Sequence, residues 1–279
     1  MRANGEINLA VLIDADNVSY TNIKGIMEEA AKYGVATIRR IYGDWTNQDK
    51  QGWKQVLLEH AISPVQQYSY TYGKNATDSS MIIDAMDLLY SGRVQGFCII
   101  SSDSDFTRLA IRLREAGMYV IGMGEQKTPK PFVVACDKFI YVEILKKGVN
   151  PKPAPARRYP TRKKTEATPA PAQISPSPAD EVLDPVDEHA EEDTVLTRED
   201  AEALISEAIS DIADEDGWAF LGAVGSMANK RRPDFDPRLF GFTKLTQFVR
   251  SCTFFEVEER ATARKGVKHI YVRDKRTNA

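Results

Sequence analysis

Residues 96–106 read Gly-Phe-Cys-Ile-Ile-Ser-Ser-Asp-Ser-Asp-Phe. The apolar run of residues 97–100 is typical of a strand buried on both faces of a parallel sheet. It ends in alternating serines and aspartates, and the apolar residues that follow have helical spacing. Open α/β sheets bind their ligands at the carboxyl ends of such strands. Asp103 and Asp105 are therefore candidate site residues, although a helix cap at Ser104 or Asp105 would explain part of the cluster.

The N-terminus contains a second stretch of the same kind. The apolar residues 9–13 run directly into Asp14-Ala15-Asp16-Asn17. If both strands lie centrally in one parallel sheet, Asp14 meets Asp103 and Asp105 in one crevice. Crowded carboxylates repel each other, so such a cluster needs a cation or retained protons. Because these are hard oxygen ligands without a Cys or His partner, Mg²⁺ or Mn²⁺ is the expected ion.

Strand and helix patterns alternate through residues 1–148. Buried-strand patterns recur at residues 35–42, 65–70, 118–123 and 139–142. Helical patterns occupy residues 21–33, 49–60, 77–89 and 104–115. This alternation predicts a three-layer α/β/α domain with a mainly parallel sheet.

The chain changes character after this domain. Residues 149–193 are rich in proline, basic in their first half and acidic in their second, which predicts a disordered linker. Residues 194–279 show three short helical patterns followed by a hairpin pattern with a basic tip. We expect a small winged-helix α+β domain there, and a flexible linker would raise the local concentration of any ligand that this domain holds.

The composition points to a soluble cytoplasmic protein. The net charge is −3, and the excess of acids lies in the predicted linker, because acids and bases balance in both flanking domains. Cys98, Cys136 and Cys252 are few and scattered, which favours reduced thiols over a disulfide framework or zinc site. The sequence has neither a signal peptide nor an apolar run of bilayer length, so no membrane is expected. Whether the protein forms a homodimer is left open.

Asp78 and Asp84 lie on one predicted helix. At about 100° per residue, their spacing places them about 120° out of alignment, so both cannot easily face one ion. Asp78, at the helix start, is the better ligand, although its position also suits an N-cap. Asp84 is a secondary candidate that either supports the site or pairs with a base. Asp16 is secondary as well, because the chain is expected to turn there.

These motifs together resemble the NYN domain, a branch of the PIN-like nucleases that includes LabA-like bacterial proteins. The resemblance covers about residues 7–146 and rests on residues 14–17, 74–78, 84 and 101–106. It implies a metal-dependent ribonuclease. Carried over by matching positions, the resemblance implies that the catalytic and metal-binding residues are Asp14, Asp78, Asp103 and Asp105. Asn17 would assist them, and Ser102 is a secondary candidate.

Several residues near these motifs are candidates for contact with RNA. The candidate backbone contacts are Lys74, Arg39, Arg40 and Arg108, and the candidate stacking residues are Tyr42 and Trp45. Taken one by one, each of these is also readily explained as ordinary surface or core.

The C-terminal part resembles the OST-HTH or LOTUS domain over about residues 196–275. The resemblance rests on residues 214–218, the run Asp-Pro-Arg-Leu-Phe-Gly-Phe at 236–242, and residues 270–272. It implies RNA binding or, in some eukaryotic members, helicase binding, so a protein partner is also open. The candidate phosphate contacts are Lys230, Arg231, Arg232, Lys244, Arg264, Lys265 and Lys268.

Two other functions fit parts of the sequence. A haloacid-dehalogenase-type phosphatase also begins with a strand ending in Asp-x-Asp; Asp14 would then be the nucleophile, Asp16 the acid/base and Lys74 a charge stabiliser. Against it, Asn17 stands where that family usually has a glycine, and Asp78 has no role. A non-catalytic RNA-binding adaptor with a vestigial site is the other alternative. The working hypothesis is a ribonuclease, acting as an endonuclease, whose second domain holds RNA.

Overall fold

The computed structural model describes residues 6–46, 52–68, 76–145, 195–261 and 268–276. The predicted linker at 149–193 lies outside these ranges, as do Lys74, Arg264 and Lys265. Among the described residues, no helix is long and apolar enough to cross a membrane.

The first domain is built on six parallel strands. They are β1 (Asn8–Asp14), β2 (Val35–Gly43), β3 (Ser63–Gln66), β4 (Gly96–Ile100), β5 (Tyr119–Gly124) and β6 (Lys138–Tyr141). Their order is β3-β2-β1-β4-β5-β6. The two strands that end in acidic motifs, β1 and β4, are therefore central neighbours. Their register places Ile13 beside Ile100, so both acidic motifs begin at the same level of the sheet.

Helices cover both faces of this sheet. They are α1 (Ile23–Ala30), α2 (Trp53–Glu59), α3 (Ala76–Tyr90), α4 (Thr107–Glu115) and α5 (Lys130–Ala135). One core joins α3, α4 and α5 to residues such as Leu12 and Phe97, and the other joins α1 and α2 to Val11 and Cys98. Alternate residues of each central strand enter opposite cores, as the unbroken apolar runs require. The predicted three-layer α/β/α architecture is confirmed.

Some predicted boundaries were wrong. The third strand was expected at residues 65–70 but begins at Ser63 and ends at Gln66. It includes Pro64, which is tolerated because β3 is the edge strand of the sheet. The helix expected at 104–115 starts with a 3₁₀ turn, Ser104–Phe106, before α4. The patterns also missed α5, which is only six residues long.

The second domain contains three helices and a small antiparallel sheet. Its elements are α6 (Arg198–Ile212), β7 (Ala219–Phe220), α7 (Leu221–Arg231), α8 (Leu245–Ser251), β8 (Phe255–Ala261) and β9 (Lys268–Asp274). The strand order is β7-β9-β8, with β8 and β9 forming the predicted hairpin. A 3₁₀ turn at Pro237–Phe240 leads into α8 and ends at Gly241, whose φ of 83° is a conformation that glycine adopts without strain.

Candidate functional site

Asp14 is the fully buried last residue of β1. Its Oδ2 accepts hydrogen bonds from the Ser101 hydroxyl at 2.8 Å and the Asn17 amide at 2.6 Å, and its Oδ1 accepts the Asp16 N–H at 2.9 Å. Burial raises the pKa of Asp14, and these three donors oppose that rise. Three donors aimed at one buried carboxylate hold it in a single orientation.

Asp103 and Asp105 follow the carboxyl end of β4. The Asp103 carboxylate accepts the Asp105 N–H at 2.9 Å and so caps the 3₁₀ turn that leads into α4. The cap considered for Ser104 or Asp105 is therefore provided by Asp103, whose own N–H donates to the Ser101 hydroxyl at 3.1 Å. This turn therefore has two roles. Asp103 caps it, and the turn places the Asp105 carboxylate on the same side as the Asp103 carboxylate.

Asp78 completes a cluster of three carboxylates. It lies in the first turn of α3, and carboxylate oxygens of Asp78, Asp103 and Asp105 lie within 4.8 Å of one another. Burial, together with the negative charges of Asp14, Asp103, Asp105 and Asp16, raises the pKa of Asp78 to about 6. The three carboxylates repel one another, and their oxygen-only donors match the preference of Mg²⁺ and Mn²⁺.

The neighbouring polar residues support this cluster in different ways. Asn17 orients Asp14 through its side-chain amide. Asp16 contributes its backbone N–H to Asp14, while its side chain is exposed. Ser102 accepts the Glu125 N–H at 2.8 Å and so connects the ends of β4 and β5. In these hydrogen bonds Asn17 and Asp16 use nitrogen atoms, whereas Ser102 uses its hydroxyl oxygen.

Asp84 lies outside the carboxylate cluster. It accepts hydrogen bonds from the Arg40 guanidinium and the Tyr42 hydroxyl. Of the two roles left open for Asp84, pairing with a base is the one that the structure contains. Arg40 is thereby occupied by a carboxylate. Tyr42 is fully buried, so its candidate role as a stacking surface for RNA was wrong.

Of the other candidate RNA contacts of the first domain, some have hydrogen-bond partners within the protein and one is exposed. The guanidinium of Arg39 donates to the Ala36 and His60 carbonyls at 3.1 and 2.8 Å, which ties it to its own backbone. The Trp45 indole donates to the Val65 carbonyl and packs edge-on against another tryptophan. Arg108 is exposed on the first turn of α4, three residues beyond Asp105.

The basic residues of the second domain differ in their pairing. Arg231 pairs with Glu207 and Asp211, Arg232 with Asp234, and Lys268 with Glu259. Lys230 and Lys244 are exposed, and within the described part of the chain no carboxylate lies at salt-bridge distance from either. Among the candidate phosphate contacts that the structure describes in this domain, these two lysines are therefore the ones without a carboxylate partner.

Ser101 is a site residue that the sequence patterns missed. It was treated as part of a polar run, yet its hydroxyl donates to Asp14 and accepts from the Asp103 N–H, joining the two acidic motifs. The signal lay in the strand register: Ser101 follows Ile100 as Asp14 follows Ile13, and these isoleucines are paired. Recognising it would have required knowing that β1 and β4 are adjacent.

Comparison with known families gives two matches, in the order expected from the motifs. The model of the NYN domain matches residues 8–144, and the model of the OST-HTH/LOTUS domain matches residues 196–267. No curated protein matches the chain.

Three solved structures are similar to parts of the chain. A protein of unknown function from Vibrio parahaemolyticus is 17% identical with a TM-score of 0.42, and the match covers 50% of this chain and 96% of that one. An uncharacterized protein from Nitrosomonas europaea is 34% identical with a TM-score of 0.25, over 37% of this chain and 91% of that one. A protein from Chromobacterium violaceum is 35% identical with a TM-score of 0.23, over 26% and 78%.

Proposed function

Since the chain joins an NYN domain at residues 8–144 to an OST-HTH/LOTUS domain at residues 196–267, we propose that it is a metal-dependent endoribonuclease whose second domain holds RNA. The NYN domain is a PIN-like nuclease domain, and the OST-HTH/LOTUS domain is an RNA-binding domain. One chain would thus carry both a nuclease active site and an RNA-binding surface.

One observation carries the proposal. Carboxylate oxygens of Asp78, Asp103 and Asp105 lie within 4.8 Å of one another at the carboxyl edge of the sheet, beside the buried Asp14. Like charges held this close together are costly unless something compensates them, which supports a cation as the natural occupant of the cluster. Burial and these neighbouring charges also raise the pKa of Asp78.

We assign separate roles to the residues of the site. Asp78, Asp103 and Asp105 would hold Mg²⁺ or Mn²⁺, with Asp14 nearby as a further carboxylate ligand. A bound divalent ion lowers the pKa of a water molecule and neutralises charge that develops on a phosphodiester. Asn17 and Ser101 orient the Asp14 carboxylate and oppose the rise of its pKa that burial causes. Ser102 holds the loop after β4 in place against β5.

RNA contact is assigned to cations whose charge is free. Arg108 lies beside the carboxylates and is placed to meet a phosphate close to the scissile bond. On the second domain, Lys230 and Lys244 are exposed and suited to sequence-independent phosphate contacts. Lys74, Arg264 and Lys265 stay candidates from the sequence. The buried free thiols of Cys98, Cys136 and Cys252 agree with the reducing cytoplasm that we propose as its location.

The two alternatives make different predictions. In a phosphatase, Asp16 is the essential acid/base, whereas in the nuclease it only adds negative charge next to the cluster. Asp16→Asn should therefore abolish a phosphatase and leave RNA cleavage within about ten-fold. In a non-catalytic adaptor, RNA binds without any metal-dependent cleavage.

A circular single-stranded RNA tests this proposal, because only an endonuclease can open it. We expect Mn²⁺ or Mg²⁺ to convert the circle into a linear molecule and then into shorter fragments, and EDTA to prevent this. If linear RNA were cleaved while the circular RNA stayed intact, the protein would be an exonuclease and not an endonuclease. RNA that is bound but never cut would favour the adaptor.

A further inference from the structure

Arg238 of the second domain reaches into the first domain. Its guanidinium donates to both carboxylate oxygens of Glu29 on α1, at 2.9 Å each, and also to Asp236 at 2.6 Å. Glu29 is 3% exposed and Asp236 is 7% exposed. Burial alone would raise the pKa of both carboxyls, but the hydrogen bonds and charge of Arg238, together with Lys32 at Glu29 and Lys138 at Asp236, hold both pKa values below the ordinary range. A planar guanidinium that bridges two buried carboxylates fixes both orientation and distance.

Strand β6 makes a second set of contacts to the same region. The Lys138 ammonium donates to the Asn229 side-chain oxygen and the Phe235 carbonyl, at 2.7 Å each. The Phe139 N–H donates to the Pro233 carbonyl at 3.0 Å. The Tyr141 hydroxyl donates to Asp234 at 3.3 Å, and Asp234 is itself held by Arg232. Three of the four residues of this strand thus have polar partners on the second domain.

Apolar packing accompanies these polar contacts. Leu239, inside the Asp-Pro-Arg-Leu-Phe-Gly-Phe run, and Val195 both pack against the core that includes Phe139 and Tyr141. All four residues of β6 are buried, although β6 is the last strand of its sheet. Edge strands normally leave backbone groups open to water or to other chains. Here the second domain covers the edge.

The buried charges show why this contact is not incidental. Lys138 is 9% exposed, and burying an ammonium group is unfavourable unless donors and acceptors are matched. Its hydrogen-bond acceptors among the described residues belong to the second domain. Without that domain, Lys138 would lose both of these acceptors, and Glu29 would lose Arg238 while keeping its ion pair with Lys32. Buried charges whose partners come from the other domain are expected of a specific interface.

We propose that the Asp236-Pro237-Arg238 run is an intramolecular clamp, which docks the OST-HTH/LOTUS domain on Glu29 and strand β6 so that the two domains act as one body in solution. The partner of this surface is therefore the chain's own NYN domain. Docking replaces the free tether that the sequence suggested. It also gives Arg232 a role in the interface in place of its expected role in phosphate contact.

Nuclear spin relaxation of backbone amides in the full chain tests the clamp, without depending on the proposed function. We expect both domains of the wild type to share one rotational correlation time. In Arg238→Met and in Glu29→Gln, the second domain should tumble separately, with a correlation time falling toward that of a free domain of its size. Glu29→Gln is included because it leaves the second domain unchanged, so that unfolding of that domain cannot explain the result.

Arg250→Met is the matched control. Arg250 pairs with Glu259 inside the second domain, and its substitution should leave one common correlation time. Two correlation times in the wild type would overturn the docking. A common correlation time retained in both Arg238→Met and Glu29→Gln would overturn the assignment of the clamp to these residues.

Discussion

The Ser101 hydroxyl donates to the Asp14 carboxylate at 2.8 Å, and both residues are fully buried at the ends of adjacent strands. This bond joins two acidic motifs that are far apart in the sequence. It depends on parallel pairing of β1 with β4, because Ile13 beside Ile100 brings the next residue of each strand together. The bond therefore connects both acidic motifs at the centre of the sheet.

Removing this hydroxyl should weaken the fold. Ser101→Ala leaves a buried carboxylate without one of its three donors, so the free energy of unfolding should fall by about 1–3 kcal/mol. Chemical denaturation near neutral pH measures the change. Ser104→Ala is the control, because Ser104 is exposed in the same loop and should have little effect. Equal stability of Ser101→Ala and wild type would contradict the assigned bond.

Removing a carboxylate from the cluster should instead stabilise the metal-free protein. The pKa of Asp78 rises on folding from 3.8 to about 6, so the folded state retains its proton to higher pH than the unfolded state. Ionisation of Asp78 therefore destabilises the fold progressively between these two values and fully above about pH 6. Asp78→Asn should raise the free energy of unfolding at neutral pH by roughly 1–3 kcal/mol.

The pH dependence identifies the cause of that gain. The advantage of Asp78→Asn should shrink as the pH falls below about 6 and vanish near pH 3, where the carboxyl is neutral in both states. Denaturation in EDTA at several pH values checks it. A gain independent of pH would show that ionisation of the buried Asp78 is not responsible.

Two aspartates on one helix should differ in metal binding. Asp78→Asn removes a carboxylate from the cluster, so Mn²⁺ affinity should fall by at least about ten-fold. Asp84→Asn should leave the affinity nearly unchanged but lower the melting temperature, because Arg40 and Tyr42 lose their carboxylate partner. Titration with Mn²⁺ followed by electron paramagnetic resonance measures both. A greater loss of affinity in Asp84→Asn would contradict this division of roles.

The sequence predicted the parts of the molecule that depend on local patterns. Apolar runs ending in acids identified β1 and β4, and helical spacing identified α3 with Asp78 in its first turn. It missed α5 because six residues including Pro131 are too few to show a helical period. It could not reveal the contact of Glu29 with Arg238, which are 209 positions apart and share no pattern.

Charge pairing should decide which lysines contribute to RNA binding. Lys230→Gln and Lys244→Gln should each reduce the slope of log affinity against log salt by about one, because each removes an uncompensated phosphate contact. Lys268→Gln should change the slope less, since Lys268 already pairs with Glu259. Fluorescence anisotropy of a labelled single-stranded RNA in EDTA gives these slopes. If all three variants and the wild type gave equal slopes, we would conclude that these positions do not contact RNA.

The most direct test of the ribonuclease is cleavage of a labelled, partly single-stranded RNA by the wild type and by Asp103→Asn. With Mn²⁺ or Mg²⁺, the wild type should cut the RNA and EDTA should stop it. Asp103→Asn should bind the RNA with similar affinity in EDTA and cut it no faster than the background. Absence of metal-dependent cleavage by the wild type, or equal cleavage by both proteins, would contradict the proposed site and its function.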